Sequence, residues 1–424
     1  MSKIVRTPIV VATTENIASA IPLEPLYDKK NNDLIIKNKD GNTSTSLYKS
    51  FKEKLIKDGY MSSKYLGDIK NKKIYGFTID LNENDPSDSV SYIHDCSDFA
   101  PMSFNSDGSC NYGVWYNIIK NYFGIAPCLV KPSGSVKELM DTNYSKSADG
   151  LADFDIESGD SGDVFIRFTK KYYKIEVCDD TFTFKVANYK VDDSYICDAF
   201  LDKNGIESDV MYIAAYRSCI QNNEIRSLSN KQPAPFYNIS DVRNNITNRK
   251  GDYIGFNISR YIYLQCLLWL FTKNCNTKSL LEYSGKTKEY TGYLNKIGLF
   301  YSSPTGYKLF GIENFMANNT FIEGILIKDK QIKYKLAGNY DKLIQYKTAI
   351  NNDVLDTGYI SKITIYDGRL VLPLVNKGSS SGIFGIKYNN NITDSITPLV
   401  MTINNIRLGG YNSAYSLLTF CKEV

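Results

Sequence analysis

The most apolar pattern in the chain runs over residues 259–273, where hydrophobic side chains fall nearly all round a helical repeat. A helix without a polar face has no side to offer water, so this stretch predicts a buried core helix. A second helix is predicted over residues 241–248 with Ser240 as its cap, and a third over residues 114–124, ending at Gly124. Elsewhere the period shortens to two. Residues 73–81 alternate in part and predict a strand, and residues 126–132 predict another. Residues 172–177 and 182–187 flank Asp179-Asp180, which predicts a hairpin. After Ile297 the pattern becomes short strands and turns rich in Gly, Asn and Ser. The expected class is α+β, with helices flanking a loop-heavy body.

The first part of the chain reads differently. Residues 23–27 and 33–38 predict two short strands joined by the polar turn Asp28-Lys-Lys-Asn-Asn, and Asp40-Gly-Asn is a further turn signal. Residues 46–56 predict an amphipathic helix, with Leu47, Phe51 and Leu55 on one stripe and Thr43, Ser44 or Thr45 as its cap. A lone helix this short is marginal in water. It must therefore pack on copies of itself about a threefold axis or on the preceding hairpin. Residues 1–65 are expected to form an attachment or oligomerisation module and residues 66–111 a β-rich neck.

Composition narrows the function classes. At 424 residues the chain exceeds one ordinary core. With 50 basic against 46 acidic side chains the net charge is only +4, and no basic block stands out, which gives no basis for a nucleic-acid partner. The nine cysteines include no Cys-x-x-Cys pair, and Cys266 lies in an apolar stretch, so reduced core thiols are expected. The N-terminus lacks the apolar core of a signal peptide, and the most apolar segment, about 11 residues, is far short of the roughly 20 that span a membrane. No membrane insertion is expected. Tyrosine is the outlier, at 33 against 2 tryptophans. Two readings fit that excess: amphipathic contact area for binding, or the codon bias of an AT-rich genome. Neither an internal repeat nor a phosphate-binding glycine loop is visible.

Candidate chemistry is thin. The single histidine, His94, is followed by Asp95 and Cys96, but consecutive side chains point in different directions and rarely form a catalytic trio. One histidine also argues against a multi-histidine metal site. Asp153/Asp155 and Glu157/Asp160 are carboxylate pairs of the kind glycosidases use, or calcium ligands, but they lack the spacing of a calcium-binding loop. The expected role is a solvated turn. No catalytic residue, metal site or cofactor is expected.

A series of phrases in fixed order carries a resemblance. They are Trp115 with Phe123-Gly-Ile-Ala-Pro-Cys-Leu-Val-Lys, Gly162-Asp-Val-Phe-Ile-Arg-Phe, Tyr212-Ile-Ala-Ala-Tyr, and Ile225-Arg-Ser-Leu-Ser-Asn-Lys-Gln-Pro. Gly251-Asp-Tyr, Gly306-Tyr-Lys-Leu-Phe-Gly-Ile-Glu-Asn-Phe, Gly378-Ser-Ser-Ser-Gly and Gly409-Gly-Tyr-Asn-Ser follow. This order, over residues 112–424, resembles the C-type-lectin-like (formylglycine-generating-enzyme-like) head domain of bacteriophage tail fibres and phage-tail-like particles. The chain departs from that family at Met316 and Ile322, where aromatics are usual, while Glu313, Asn314, Asn318 and Gly324 fit. The calcium-dependent sugar motif is missing, since Gln232-Pro is followed by Ala, and the copper-binding cysteine pair is missing near Cys421.

The resemblance implies a receptor-binding protein at the virion tail tip or baseplate, often a homotrimer. Its partners would be a host surface glycan or surface-layer protein and other tail proteins, without catalysis. The ligand face it implies lies in the C-terminal loops, at Tyr388, Asn389, Asn390, Tyr411, Asn412 and Tyr415, where tyrosine rings and amides suit neutral sugars. Alternatively, Tyr411 and Tyr415 pack inside beside the Gly409-Gly410 pair. Two other classes stay open: a structural baseplate or virion-decoration protein making only protein contacts, and an envelope polysaccharide hydrolase.

Overall fold

A computed structural model describes residues 72–336, apart from 84, 86, 132, 237–238, 250, 276–279, 282–288, 316–319 and 329–330. It also describes residues 416–422 and the backbone of six short strands, over residues 25–28, 33–36, 347–350, 364–366, 370–372 and 382–386. The chain divides into two compact units, residues 1–72 and residues 73–424. In the first, the strands Pro25–Asp28 and Asp33–Ile36 pair antiparallel, with Asp28 opposite Asp33, as the turn signal between them predicts. The predicted helix over residues 46–56 lies outside the described residues.

Among the described residues of the second unit β-sheet dominates, with few helices. Its largest sheet has seven strands in the order Ile254–Gly255, Leu418–Lys422, Val210–Ala214, Asp163–Thr169, Ala126–Val130, Val136–Met140, Asn143–Ser147. Val210–Ala214, Asp163–Thr169 and Ala126–Val130 are apolar along much of their length because both their faces are covered. A four-stranded sheet runs Tyr172–Cys178, Thr181–Ala187, Ile74–Asp80, Val90–His94. The predicted hairpin is present, with Cys178 opposite Thr181 across a turn in which Asp179 has φ of 53°.

Residues 66–111 were expected to form a separate neck. From Lys73 onward they belong to the second unit, because Ile74–Asp80 pairs along its whole length with Thr181–Ala187. The boundary at 112 therefore falls inside one compact unit. Alternation identifies such a strand but carries no information about a partner a hundred residues away.

The core helix, Ile258–Thr272, is buried at every residue. Asn257 caps it, Oδ1 accepting from Arg260 N at 3.1 Å, and Lys273 ends it in the left-handed conformation, its N–H donating to Trp269 O. Trp269 sits edge-on to Phe77 and Phe182 of the four-stranded sheet, and Tyr263 lies 5.2 Å from Tyr173. Arg260 extends from this helix to the C-terminal strand, donating to Thr419 Oγ1 and Cys421 Sγ and to the carbonyls of Ala199 and Leu201. The second predicted helix spans Ile239–Asn248, so Ser240 lies inside its first turn rather than at its cap. The third is a helical turn, Trp115–Asn117, that widens into a π-turn, Ile118–Tyr122. Among the described residues no helix is long and apolar enough to cross a membrane.

Candidate functional site

The sequence phrases meet through buried polar contacts. Asp163, of the Gly162-Asp phrase, is fully buried. Its carboxylate accepts from Arg226 Nε at 3.0 and 3.1 Å, from Arg249 Nη2 at 2.7 Å and from Ser227 N at 2.6 Å. Arg226 continues to Gly159 O and Arg249 to Ile225 O, and the Arg249 guanidinium lies 4.2 Å from the centre of the Tyr253 ring. Two buried cations on one carboxylate hold three separate stretches of chain together. Every donor that has a mate here is a donor removed from water without loss.

A second buried group lies under a turn. Glu313 accepts from Gly292 N at 3.0 Å and Leu294 N at 3.1 Å, while Lys308 donates to Leu294 O and Ile297 O, each at 2.9 Å. Lys308 also stands 3.8 Å over the Tyr144 ring. Burial pushes the Glu313 carboxyl up and the Lys308 ammonium down, each against its ordinary range. Asn295, on the same turn, accepts from Tyr216 Oη and donates to Ser229 Oγ at 2.8 Å. Thr291 exchanges backbone hydrogen bonds with Asn230 and Lys231.

This braced turn is one wall of an open cleft of about 680 Å³. Asn143 and Ser145 form a second wall at the edge of the large sheet, Ile156 and Glu157 a third, and Ser229 and Asn230 a fourth. Tyr290, half exposed, stands at the rim with Glu289 and Lys296. The two carboxylates are occupied by amides: Glu157 accepts from Asn230 Nδ2 and Glu289 from Gln232 Nε2, each at 3.2 Å. Such a cleft can hydrogen-bond and stack on a ligand. Its size lies within the range of small-ligand sites.

The residues first considered for chemistry are dispersed. His94 ends its strand with φ of 60° and faces solvent. Asp95 accepts from Lys73 Nζ and Ile74 N instead, and Cys96 turns inward to the carbonyls of Gly76 and Ile93, its thiol pushed up to about 11 by burial. The three point in three directions. Asp153 pairs with Lys146 at 2.8 Å. Asp155 accepts from Glu157 N and Ser158 N, and its carboxyl is pulled down to about 2, first by the Ser158 side-chain hydrogen bond and then by these backbone bonds. Both are solvent-exposed, but Asp153 forms an antiparallel bridge with Lys146 rather than part of the expected turn. Only Glu157 of the four reaches the cleft. Among the described residues no group of three or more His, Cys, Asp or Glu side chains is placed to hold a metal ion.

Tyr388, Asn389, Asn390, Tyr411, Asn412 and Tyr415 all lie outside the described residues, as do Met316 and Asn318. The cleft itself was missed in the sequence. Its one local signal is Tyr290-Thr-Gly-Tyr293, an aromatic-flanked glycine turn. No protein-family model matches the chain, and none of the curated proteins matches it significantly.

Proposed function

We propose that the chain is a receptor-binding protein of the phage tail-fibre type, whose C-type-lectin-like head attaches to a glycan or protein on a host cell surface without catalysis. The observation that supports this best is the joining of the ordered phrases. Asp163 of one binds Arg226 of another, and Glu313 and Lys308 of a third brace the turn beside Asn230. These contacts join phrases up to 150 residues apart within one compact unit, as a single head domain would require.

The head offers an open cleft with an exposed tyrosine, a form suited to recognition. The first unit would dock on the tail, and weak single-site affinity would be multiplied by avidity in a trimer. The test is binding of the purified full chain to a panel of intact bacterial strains and to their isolated surface fractions, with the oligomeric state measured in parallel. Saturable attachment to some strains and not others supports the reading. A folded oligomer that binds none of them, yet associates with tail proteins, would favour a structural baseplate role instead.

A further inference from the structure

The geometry points to the cleft between Asn143, Glu157, Asn230 and Tyr290 as a binding site for a neutral, hydroxyl-rich glycan, an inference that rests on the receptor-binding reading above.

The first argument is complementarity. A sugar hydroxyl both donates and accepts, so a site for it needs both kinds of partner close together. Asn143 Oδ1 is taken up by Ser145 N and Oγ at 3.2 and 2.8 Å, which leaves its two Nδ2 donors for a ligand. Asn230 spends a donor on Glu157 and keeps Oδ1 as an acceptor. Ser229 Oγ accepts from Asn295 and retains its own proton. The lining thus offers both donors and an acceptor.

The second argument is the ring. Tyr290 is 50% exposed in the lining of the cleft, so half of its surface is open to a ligand. A pyranose face, with its axial C–H groups, matches such a ring. The third argument is charge. Glu157 and Glu289 place two carboxylates in the lining against the single ammonium of Lys296. A polyanionic surface polymer would meet repulsion there, and a neutral one would not.

The fourth argument is preorganisation. The wall over residues 291–297 is held by Glu313 and Lys308 beneath it, by Tyr216 and Ser229 at its side, and by Thr291 Oγ1 donating to Leu228 O at 2.7 Å. Gly292 has φ of +82°, and a methyl group there would run into Ser229 Oγ. A wall fixed in this way spends little of the binding free energy on ordering itself.

The experiment is a titration of the full chain against a printed panel of neutral and anionic bacterial oligosaccharides, with Tyr290→Ala, Tyr290→Phe and Asn230→Gly beside the wild type, each checked for an unchanged melting profile. Asn230 has φ of 53°, so glycine removes the amide without straining the backbone. Expected is binding to neutral members, weakened roughly tenfold in Tyr290→Ala and several-fold in Asn230→Gly, and nearly retained in Tyr290→Phe. Wild-type binding that survives both Tyr290→Ala and Asn230→Gly would overturn the site while leaving the receptor-binding reading intact. Binding to anionic members alone would overturn the ligand class. A wild type that binds no glycan but still attaches to cells would overturn this inference only, and one that binds neither would overturn both.

Discussion

Lys308 and Glu313 stand opposite each other in the antiparallel ladder between Gly306–Leu309 and Ile312–Glu313, and they hold the same turn from two sides. The carboxylate takes N–H groups of Gly292 and Leu294, and the ammonium serves the carbonyls of Leu294 and Ile297. Side chains thereby satisfy backbone groups at Gly292, Leu294 and Ile297, while Tyr144 N of the strand Asn143–Ser147 donates to Asn295 O.

This arrangement makes stability depend on pH in two opposite senses. Glu313 is raised from 4.5 to about 7 chiefly by burial, so in that window the folded chain keeps a proton that the unfolded chain has released. Unfolding free energy therefore falls as pH rises through it. Lys308 is lowered from 10.5 to about 7 by burial, so above neutrality the folded chain lacks a proton that the unfolded chain holds, and stability climbs again with pH. Urea midpoints measured from pH 5 to pH 9 are expected to pass through a minimum near neutrality. Glu313→Gln should flatten the acid side by on the order of 2 kcal/mol, and Lys308→Met the alkaline side only.

Asp163 is the anchor for two guanidinium groups that are themselves buried. Asp163→Ala strands both, and removal of one partner from a buried ion pair costs about 3–5 kcal/mol. Guanidinium denaturation should show a loss of at least that size. Arg226→Lys should cost less, because the ammonium keeps the charge while losing the second contact, at Gly159 O.

Gly292→Ala tests the wall of the cleft. A residue with a Cβ is strained at its φ of +82°, and the added methyl collides with Ser229 and Asn295. A loss of about 1–3 kcal/mol in thermal or chemical denaturation is expected. Gly134→Ala, also at positive φ but with nothing within 4 Å of the added carbon, separates the collision from the backbone strain and should cost less.

The cysteines give a test of the fold that involves no function. All nine are free thiols, and Cys178 alone is exposed. It should react first with a thiol reagent in the native protein, while the buried thiols react only on unfolding, and reductant should leave the melting temperature unchanged. Mass spectrometry of labelled peptides reads both.

Local order was readable from the sequence and long-range contact was not. The helix Ile258–Thr272, the hairpin about Asp179 and the strand Ile74–Asp80 each carry a periodicity that a short window reveals. Asp163 and Arg226 both lay in recognised phrases, yet their ion pair spans 63 positions, and no local pattern encodes it. The cleft is harder still, since Asn143, Glu157, Asn230 and Tyr290 come from four stretches without a shared motif. The neck misled for a related reason. An amphipathic strand does not say which strand it pairs with, and here the mate is Thr181–Ala187.

The strand Leu418–Lys422 lies inside the seven-stranded sheet, and Ile254–Gly255 is attached to that sheet only through it. Val210–Ala214 and Leu418–Lys422, neighbours in the sheet, are therefore separated by 203 residues that include Ile254–Gly255. The ordered strands from Ala126 to Ala214 can pair as they emerge, each with a neighbour already made. The edge cannot be sealed until residues 418–422 arrive, and closing so long a loop is entropically slow. Assembly of this sheet thus waits on the far end of the chain. Until then Val210–Ala214 carries an open edge, so the interval between synthesis of residue 214 and residue 422 is when the nascent protein is most prone to wrong pairing.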